Sequence, residues 1–276
     1  MNYCVTKYML YSLRHIDGNH KLIEPYRIVI HGGIDGFSRL VVYLRASTNN
    51  RANTVFSYFQ EPTAKYNVPS RVRSDLGMED YGVGRFMLET RGLNRGSIIT
   101  GSSVHNQRIE RLWRDVNIIV ISCFLNIFLY LETREVLQPL NEVHLFCLHF
   151  VYIDLINNAL EVFTNQWNNH PVTTETNFSP QQLWARGMIT LCNSHHTAVQ
   201  TVLEGSPDYL NYGVDEEGPV PEHEDAGRGI TVPESPTVLN DDQLQQLQDA
   251  IAEVGDGSDN GIIQYLICVN TVNSFM

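Results

Sequence analysis

The sequence predicts an α/β fold: a five-stranded mixed sheet flanked by helices, with a C-terminal helical extension and a disordered acidic tail. Three observations predict it. Short apolar, β-branched runs bounded by glycine and turn residues recur in the first part of the chain, the signature of strands. Stretches with apolar residues at i, i+3, i+4 and i+7 separate and follow them, the signature of amphipathic helices. From Glu204 onward 15 Asp and Glu accompany a single Arg, a composition with too little apolar surface to offset the entropy of ordering. The chain therefore divides into 1–135, the sheet domain; 136–203, its helical extension; and 204–276, a largely disordered tail.

Met9 to Asp17 follows the pattern of a first strand. Arg27 to Ile34 is β-branched and apolar and reads as a central strand, punctuated by Gly32-Gly33 and Asp35-Gly36. Leu40 to Arg45 is its hairpin partner. Asn53 to Tyr66 has helical spacing, with Val55, Phe56, Phe59 and Tyr66 apolar, and Pro62 should kink or split it. Arg71 to Ser74 is a short strand; Asp75 falls where it stops, and Gly77 permits a tight exit. Gly84 to Thr90 reads as a helix and Ser97 to Thr100 as the fifth strand. In the next helix Ile109, Leu112, Trp113 and Val116 make one apolar face, and Asn106, Glu110 and Arg114 make another. Ser102 or Ser103 can cap its start. Ile118 to Leu131 reads as its buried continuation. Val143 to Trp167 is a long helical segment, and Ser179 opens a short helix with Pro180 first and Gly187 after it as the stop. Within the tail, Asp241 to Val254 can form one helix, while the apolar end Ile262 to Phe275 fits poorly with the polar stretch before it.

The 276 residues carry a formal net charge of −12, which argues against a nucleic-acid partner until it is divided. Residues 1–115 hold 16 Lys and Arg against 10 Asp and Glu, and residues 116–276 hold 3 against 21. The motif-bearing half is basic, and local charge is what attracts phosphate. The five cysteines are odd in number, widely spaced and without a CxxC pair, which fits reduced intracellular thiols rather than disulfides or a zinc site. The start lacks the pattern of a signal peptide. The apolar run Ile118 to Leu131 is shorter than the roughly 20 residues a bilayer span requires, so no membrane partner is expected.

Chemistry enters through spacing. Asp75 sits at a strand end and Glu110 near a helix start, 35 positions apart, and Asp17 in His15-Ile16-Asp17-Gly18-Asn19 sits on an earlier strand. Together with Ile34-Asp35-Gly36-Phe37-Ser38-Arg39, Ser74-Asp75-x-Gly77 and Asn106-x-x-Ile109-Glu110-Arg111-Leu112-Trp113, they form an ordered set. Downstream come Trp167-Asn168-x-His170-Pro171 and Ser179-Pro180-x-x-Leu183-Trp184. From Leu13 to Gly187 these motifs resemble the catalytic core of retroviral-type integrases and related transposases. The likeness is strongest to integrase-core proteins of animal genomes derived from mobile elements.

The resemblance implies a ribonuclease-H-like fold and metal-dependent DNA cleavage and strand transfer of the DDE type. Two Mg2+ or Mn2+ ions would be held by Asp17, which bridges both, and by Asp75 and Glu110, which complete one each; no other small-molecule cofactor is implied. Asn106, Arg108, Arg111 and Arg114 become candidate DNA contacts. DNA, a homo-oligomeric partner and a nuclear or other intracellular location follow. The alternative is a mobile-element remnant that binds DNA or protein without chemistry. Two departures bear on that choice: Leu76-Gly77-Met78-Glu79-Asp80 stands where relatives carry Gln-Gly-Gly-Glu-Asn or similar, and no upstream DNA-end-gripping region precedes the first strand. Asp35 is a rival metal residue but fits a strand-connecting turn better. His20 and Lys21 read as a solvated loop, the Trp167–His170 cluster as helix-end packing, and Phe178 and Trp184 as core.

Overall fold

A computed structural model describes residues 13–75, 77–93, 95–100, 107–191, 232–233, 239–252 and 259–276. Five strands form one sheet: β1 (Leu13–Asn19), β2 (Val29–Asp35), β3 (Val41–Ser47), β4 (Arg71–Ser74) and β5 (Ile98–Thr100). Their spatial order is β3-β2-β1-β4-β5. β1, β2 and β3 pair antiparallel, and β1-β4 and β4-β5 pair parallel. This is the mixed sheet the sequence predicts. Tight connections suffice for the antiparallel strands, whereas the parallel ones need helical crossovers.

Those crossovers are α1 (Ala52–Gln60), α2 (Thr63–Tyr66) and α3 (Tyr81–Arg91). The break between α1 and α2 falls at Pro62, which lacks the N–H that would continue the helix. On this face Ile16, Val42, Val55, Phe59, Val72, Val83, Met87 and Ile98 form one core. The opposite face is covered by α4 (Gln107–Val116) and α6 (Glu142–Asn169), with Ile30, Ile34, Leu44, Ile109, Leu112, Trp113, Leu148 and Tyr152 among the buried residues. Side chains alternate across a strand, so Ile16 enters the first core while Asp17 turns towards α4.

β3 is an edge strand, and its free backbone groups would invite pairing with another chain. Two asparagines of α6 occupy them. Asn157 accepts from the Ala46 N–H at 2.8 Å and donates to the Ala46 carbonyl. Asn168, three turns further on, accepts from the Val41 N–H at 2.8 Å and donates to its carbonyl at 2.9 Å. A helix thus closes a sheet edge by side-chain amides that reproduce strand pairing.

α4 continues through a π-helical turn, Asn117–Ile121, into α5 (Ser122–Thr133). The expected buried continuation is only half right. Val120, Ile121, Phe124, Phe128 and Leu131 are buried, but Ile118, Ile119, Leu129 and Tyr130 are exposed, because an all-round apolar helix resting on one surface leaves its far side uncovered. Helices Arg108–Thr133 and Glu142–Glu175 are long and apolar enough to cross a membrane by length and composition. In this fold both lay their buried faces on the sheet and on one another.

α7 (Pro180–Leu191) begins at the predicted Ser179-Pro180 start. Phe178 is exposed rather than core, with Arg186 stacked over its ring, and Trp184 packs edge-on against Tyr66. Parts of the expected disordered tail are helical, and most of the remainder lies outside the described residues. α8 (Asp241–Ala252) forms as predicted, and α9 (Ile262–Ser274) seats Tyr265, Cys268, Val269 and Val272 in the core beside Tyr152. The apolar end that fits its polar neighbours poorly finds its partners on α6. Val232 packs with Ile23 and Val29 beside the first hairpin.

Candidate active site

The parallel register of β1 and β4 pairs Leu13 with Arg71, Arg14 with Val72 and His15 with Arg73. Continued two residues further, just past the last residue of β4, the same register brings Asp75 level with Asp17 inside β1. Glu110 comes from the first turn of α4, which packs on β1 and β2. The three acids of the sequence pattern therefore meet at one end of the sheet.

Their electrostatics record the meeting. Partial burial, then Asp75, then Glu110 push the Asp17 carboxyl well above the usual range; only the Trp113 indole and the Gly18 N–H oppose them. Asp17 Oδ2 accepts from Trp113 Nε1 at 2.7 Å, and Oδ1 accepts from Gly18 N at 2.9 Å. Burial and Glu79, with Glu110 behind them, push Asp75 up to about 6. Partial burial also raises Glu110, which sits at the rim.

Sequence reasoning missed two further carboxylates. The 3-10 turn Met78–Asp80 packs on α1 and α3 and is tied to the end of β4 by Ser74, which donates to Asp80. It packs Glu79 so tightly over Gly77 that a Cβ there would lie 2.4 Å from the Glu79 carboxyl carbon. Asp80 is raised well above the usual range by burial, Asp75, Glu79 and Asp17, with Ser74 donating to it. The available signal was the pair of acids after Gly77, but only the turn aims them at Asp75. His20 also belongs here: its ring lies over Gly18, its Nε2 is buried without a partner, and Glu79 is the charge it feels.

The basic candidates divide. Arg114 is exposed on the Glu110 side of α4 and makes no ion pair with it among the described residues. Arg108 and Arg111 project from another flank, over a separate cleft, and Arg111 pairs with Asp115 at 2.9 Å. Asn106 lies outside the described residues. Asp35 takes the turn role: its Oδ2 accepts from the Ser38 N–H and hydroxyl at 2.8 and 2.7 Å. Trp167 stacks on Phe163 and donates to the Arg39 carbonyl at 2.9 Å, so the cluster does pack a helix end.

A family model described as integrase core domain matches residues 5–198. The chain belongs to the integrase core domain family. No curated protein matches it. Among solved structures, the magnesium-bound HTLV-2 integrase catalytic core, trimeric form, is 14% identical with a TM-score of 0.43, covering 63% of this chain and 95% of that one. The simian T-cell lymphotropic virus intasome with PP2A regulatory subunit B56 gamma is 16% identical with a TM-score of 0.44, covering 72% of this chain and 60% of that one. The sheet order of this integrase core, three antiparallel strands followed by two parallel ones, is the ribonuclease-H-like arrangement.

The integrase core's donor set suits a hard divalent cation, which takes carboxylate oxygens and water. Like charges held together out of bulk water are raised for want of a counter-ion. The present side-chain positions do not complete a cage: among the described residues no three His, Cys, Asp or Glu are gathered around one point. Asp17, with both oxygens hydrogen-bonded, is held in place, whereas Glu110 is exposed at the rim and has room to move.

Proposed function

We propose that this integrase core catalyses metal-dependent cleavage and strand transfer at DNA phosphodiesters. The observation that carries this reading is that Asp17 of β1 and Asp75, just past the end of β4, lie close enough for their charges to repel, with Glu110 felt by both. Asp17, Asp75 and Glu110 would hold two Mg2+ or Mn2+ ions. Bound there, such ions supply Lewis-acid activation of water and neutralise charge developing at phosphorus. The chain's own part is positional. Asp17 is fixed by Trp113 and Gly18, Asp75 follows directly on β4, and Glu110 closes from the helix. Arg114, on the same side of α4, supplies a phosphate contact that orients the strand without reading its sequence.

The test is nicking of duplex DNA with Mg2+ or Mn2+, with Asp75→Asn as control. Divalent-dependent nicking by the wild type alone supports the reading. The second reading, a binding module without chemistry, predicts DNA binding with no nicking by either protein. Action on DNA would call for a nuclear or other intracellular location. The exposed apolar face of Ile118, Ile119, Leu129 and Tyr130 favours a homo-oligomer, testable by light scattering of wild type against Ile119→Lys.

A further inference from the structure

On the other flank of α4 lies a cleft of about 770 Å3. Arg108, Arg111 and Asp115, spaced i, i+3 and i+7, form its helical wall, and Arg39 and Trp167 stand across it. At 100° per residue this stripe is roughly 120° around the helix from Glu110, Arg114 and Asn117. α4 therefore stands between the cleft and the acids.

Three features of the cleft remain without a purpose inside the fold. The first is Arg39 itself. It sits at φ 63°, a left-handed conformation that disfavours any residue with a Cβ, at the close of the Asp35–Ser38 turn. Glycine or asparagine would suit the backbone better, so the guanidinium is held there against local preference. The second is its Nε, which is buried and has no hydrogen-bond partner. The partners it has are loose, Glu175 at 3.5 Å and Thr174 at 3.3 Å. The third is Arg108, which makes no ion pair among the described residues; Arg39 is close enough to repel it, and Glu175, a carboxylate felt by both arginines, offsets only part of that repulsion.

The geometry points to a phosphate-binding site in this cleft, formed by Arg39 and Arg108, walled by Trp167 and separate from the carboxylates. Two guanidiniums with unused donors, brought together across a water-accessible cleft, match an oxyanion that accepts from both. The expected source is a backbone phosphate of a nucleic-acid strand lying across α4, away from the phosphodiester that reacts. That source rests on the function proposed above; the site itself does not, since a free phosphorylated compound offers the same group.

The test uses the full chain in metal-free buffer, so it does not depend on nicking. Affinity for non-specific duplex DNA is measured by anisotropy over a range of monovalent salt for wild type, Arg39→Gly and Arg108→Ala. In parallel, binding of inorganic phosphate is read by thermal shift. Arg39→Gly also relieves the left-handed position, so its melting temperature should hold or rise; a merely structural arginine would lower it. A backbone-phosphate site predicts that each variant flattens the slope of log affinity against log salt by about one, with a weakening on the order of tenfold at low salt. Unchanged DNA binding with loss of the phosphate shift in both variants keeps the site and assigns it to a free phosphorylated compound. If neither readout moves, the inference is overturned. It is equally overturned if only an acidic peptide, such as residues 215–225 of this chain, distinguishes the variants from wild type.

Discussion

Trp113 donates its indole N–H to Asp17 Oδ2 at 2.7 Å, and the far edge of its ring fills the space that Gly32 of β2 leaves open. A Cβ at Gly32 would come within 2.6 Å of that ring. One side chain thus joins the core to the central carboxylate. Trp113→Phe keeps most of the packing and removes the donor. Loss of a hydrogen bond to a charged group costs roughly 1.5–3 kcal/mol, and Asp17 then ionises still less readily. The expected result is Mn2+ binding displaced to higher pH in calorimetric titrations; a pH profile identical to wild type would remove the indole from the site. Gly32→Ala should produce a similar displacement by moving the ring, with an overpacking cost of about 1–3 kcal/mol.

The metal-free protein should lose stability as pH rises from about 4 to about 6. Asp75 is pushed up to about 6, and Asp17 is raised as well. In that window the folded state keeps protons that the unfolded chain has released, so raising pH favours unfolding. For Asp75 the expected loss is on the order of 2 kcal/mol after allowance for solvent in a half-buried site. Asp75→Asn should abolish its share and melt higher than wild type at neutral pH. Mg2+ should restore wild type and leave the variant little changed. Denaturant titrations at several pH values, with and without Mg2+, provide the comparison, and parallel pH profiles for the two proteins would contradict the assignment.

Asn168→Leu should destabilise the fold by roughly 1–3 kcal/mol, because it leaves the Val41 N–H and carbonyl unpaired under a buried helix end. Asn157→Leu, on the half-buried part of the same edge, should cost less. Urea denaturation measures both. If β3 regains edge pairing with another chain, the Asn168 variant should also show a higher oligomeric fraction at high protein concentration.

Truncation before residue 259 should cost more than about 3 kcal/mol, because α9 contributes Tyr265, Cys268, Val269 and Val272 to the core and each buried side chain of this size contributes about 1.5–3 kcal/mol. Deleting everything after residue 203 is therefore a poor probe of the acidic segment. Replacing Glu216, Glu217, Glu222, Glu224 and Asp225 by their amides leaves the helices in place. If that segment competes for the basic face, the neutralised protein should bind DNA more tightly at low salt, with the gap closing as salt rises. Equal affinities would make the segment irrelevant to DNA.

The strands were legible because apolar runs and turn residues act locally: Arg71–Ser74 was bounded from sequence as it occurs. Asp17, Asp75 and Glu110 were legible because their neighbours form recognisable motifs. Glu79 and Asp80 were not, since nothing local says that a 3-10 turn stays tied to the end of β4 instead of leaving the sheet. Arg39 could be read as a turn residue but not as left-handed. The seat of α9 depends on contacts with α6 across more than a hundred positions, such as Tyr152 with Tyr265. Sequence periodicity can propose a helix there but cannot name its partner.

The packing of Val232 and α9 changes what a proteolytic cut would do. α7 ends at Leu191, and beyond the acidic stretch of sequence Val232 and α9 supply further core residues. A protease acting within 192–231 would shed nothing. It would leave two fragments that migrate together in native gels and separate only in denaturant. By the same logic the domain could be assembled from two independently expressed polypeptides, 1–191 and 232–276, that recognise one another chiefly through α9 and its groove on α6.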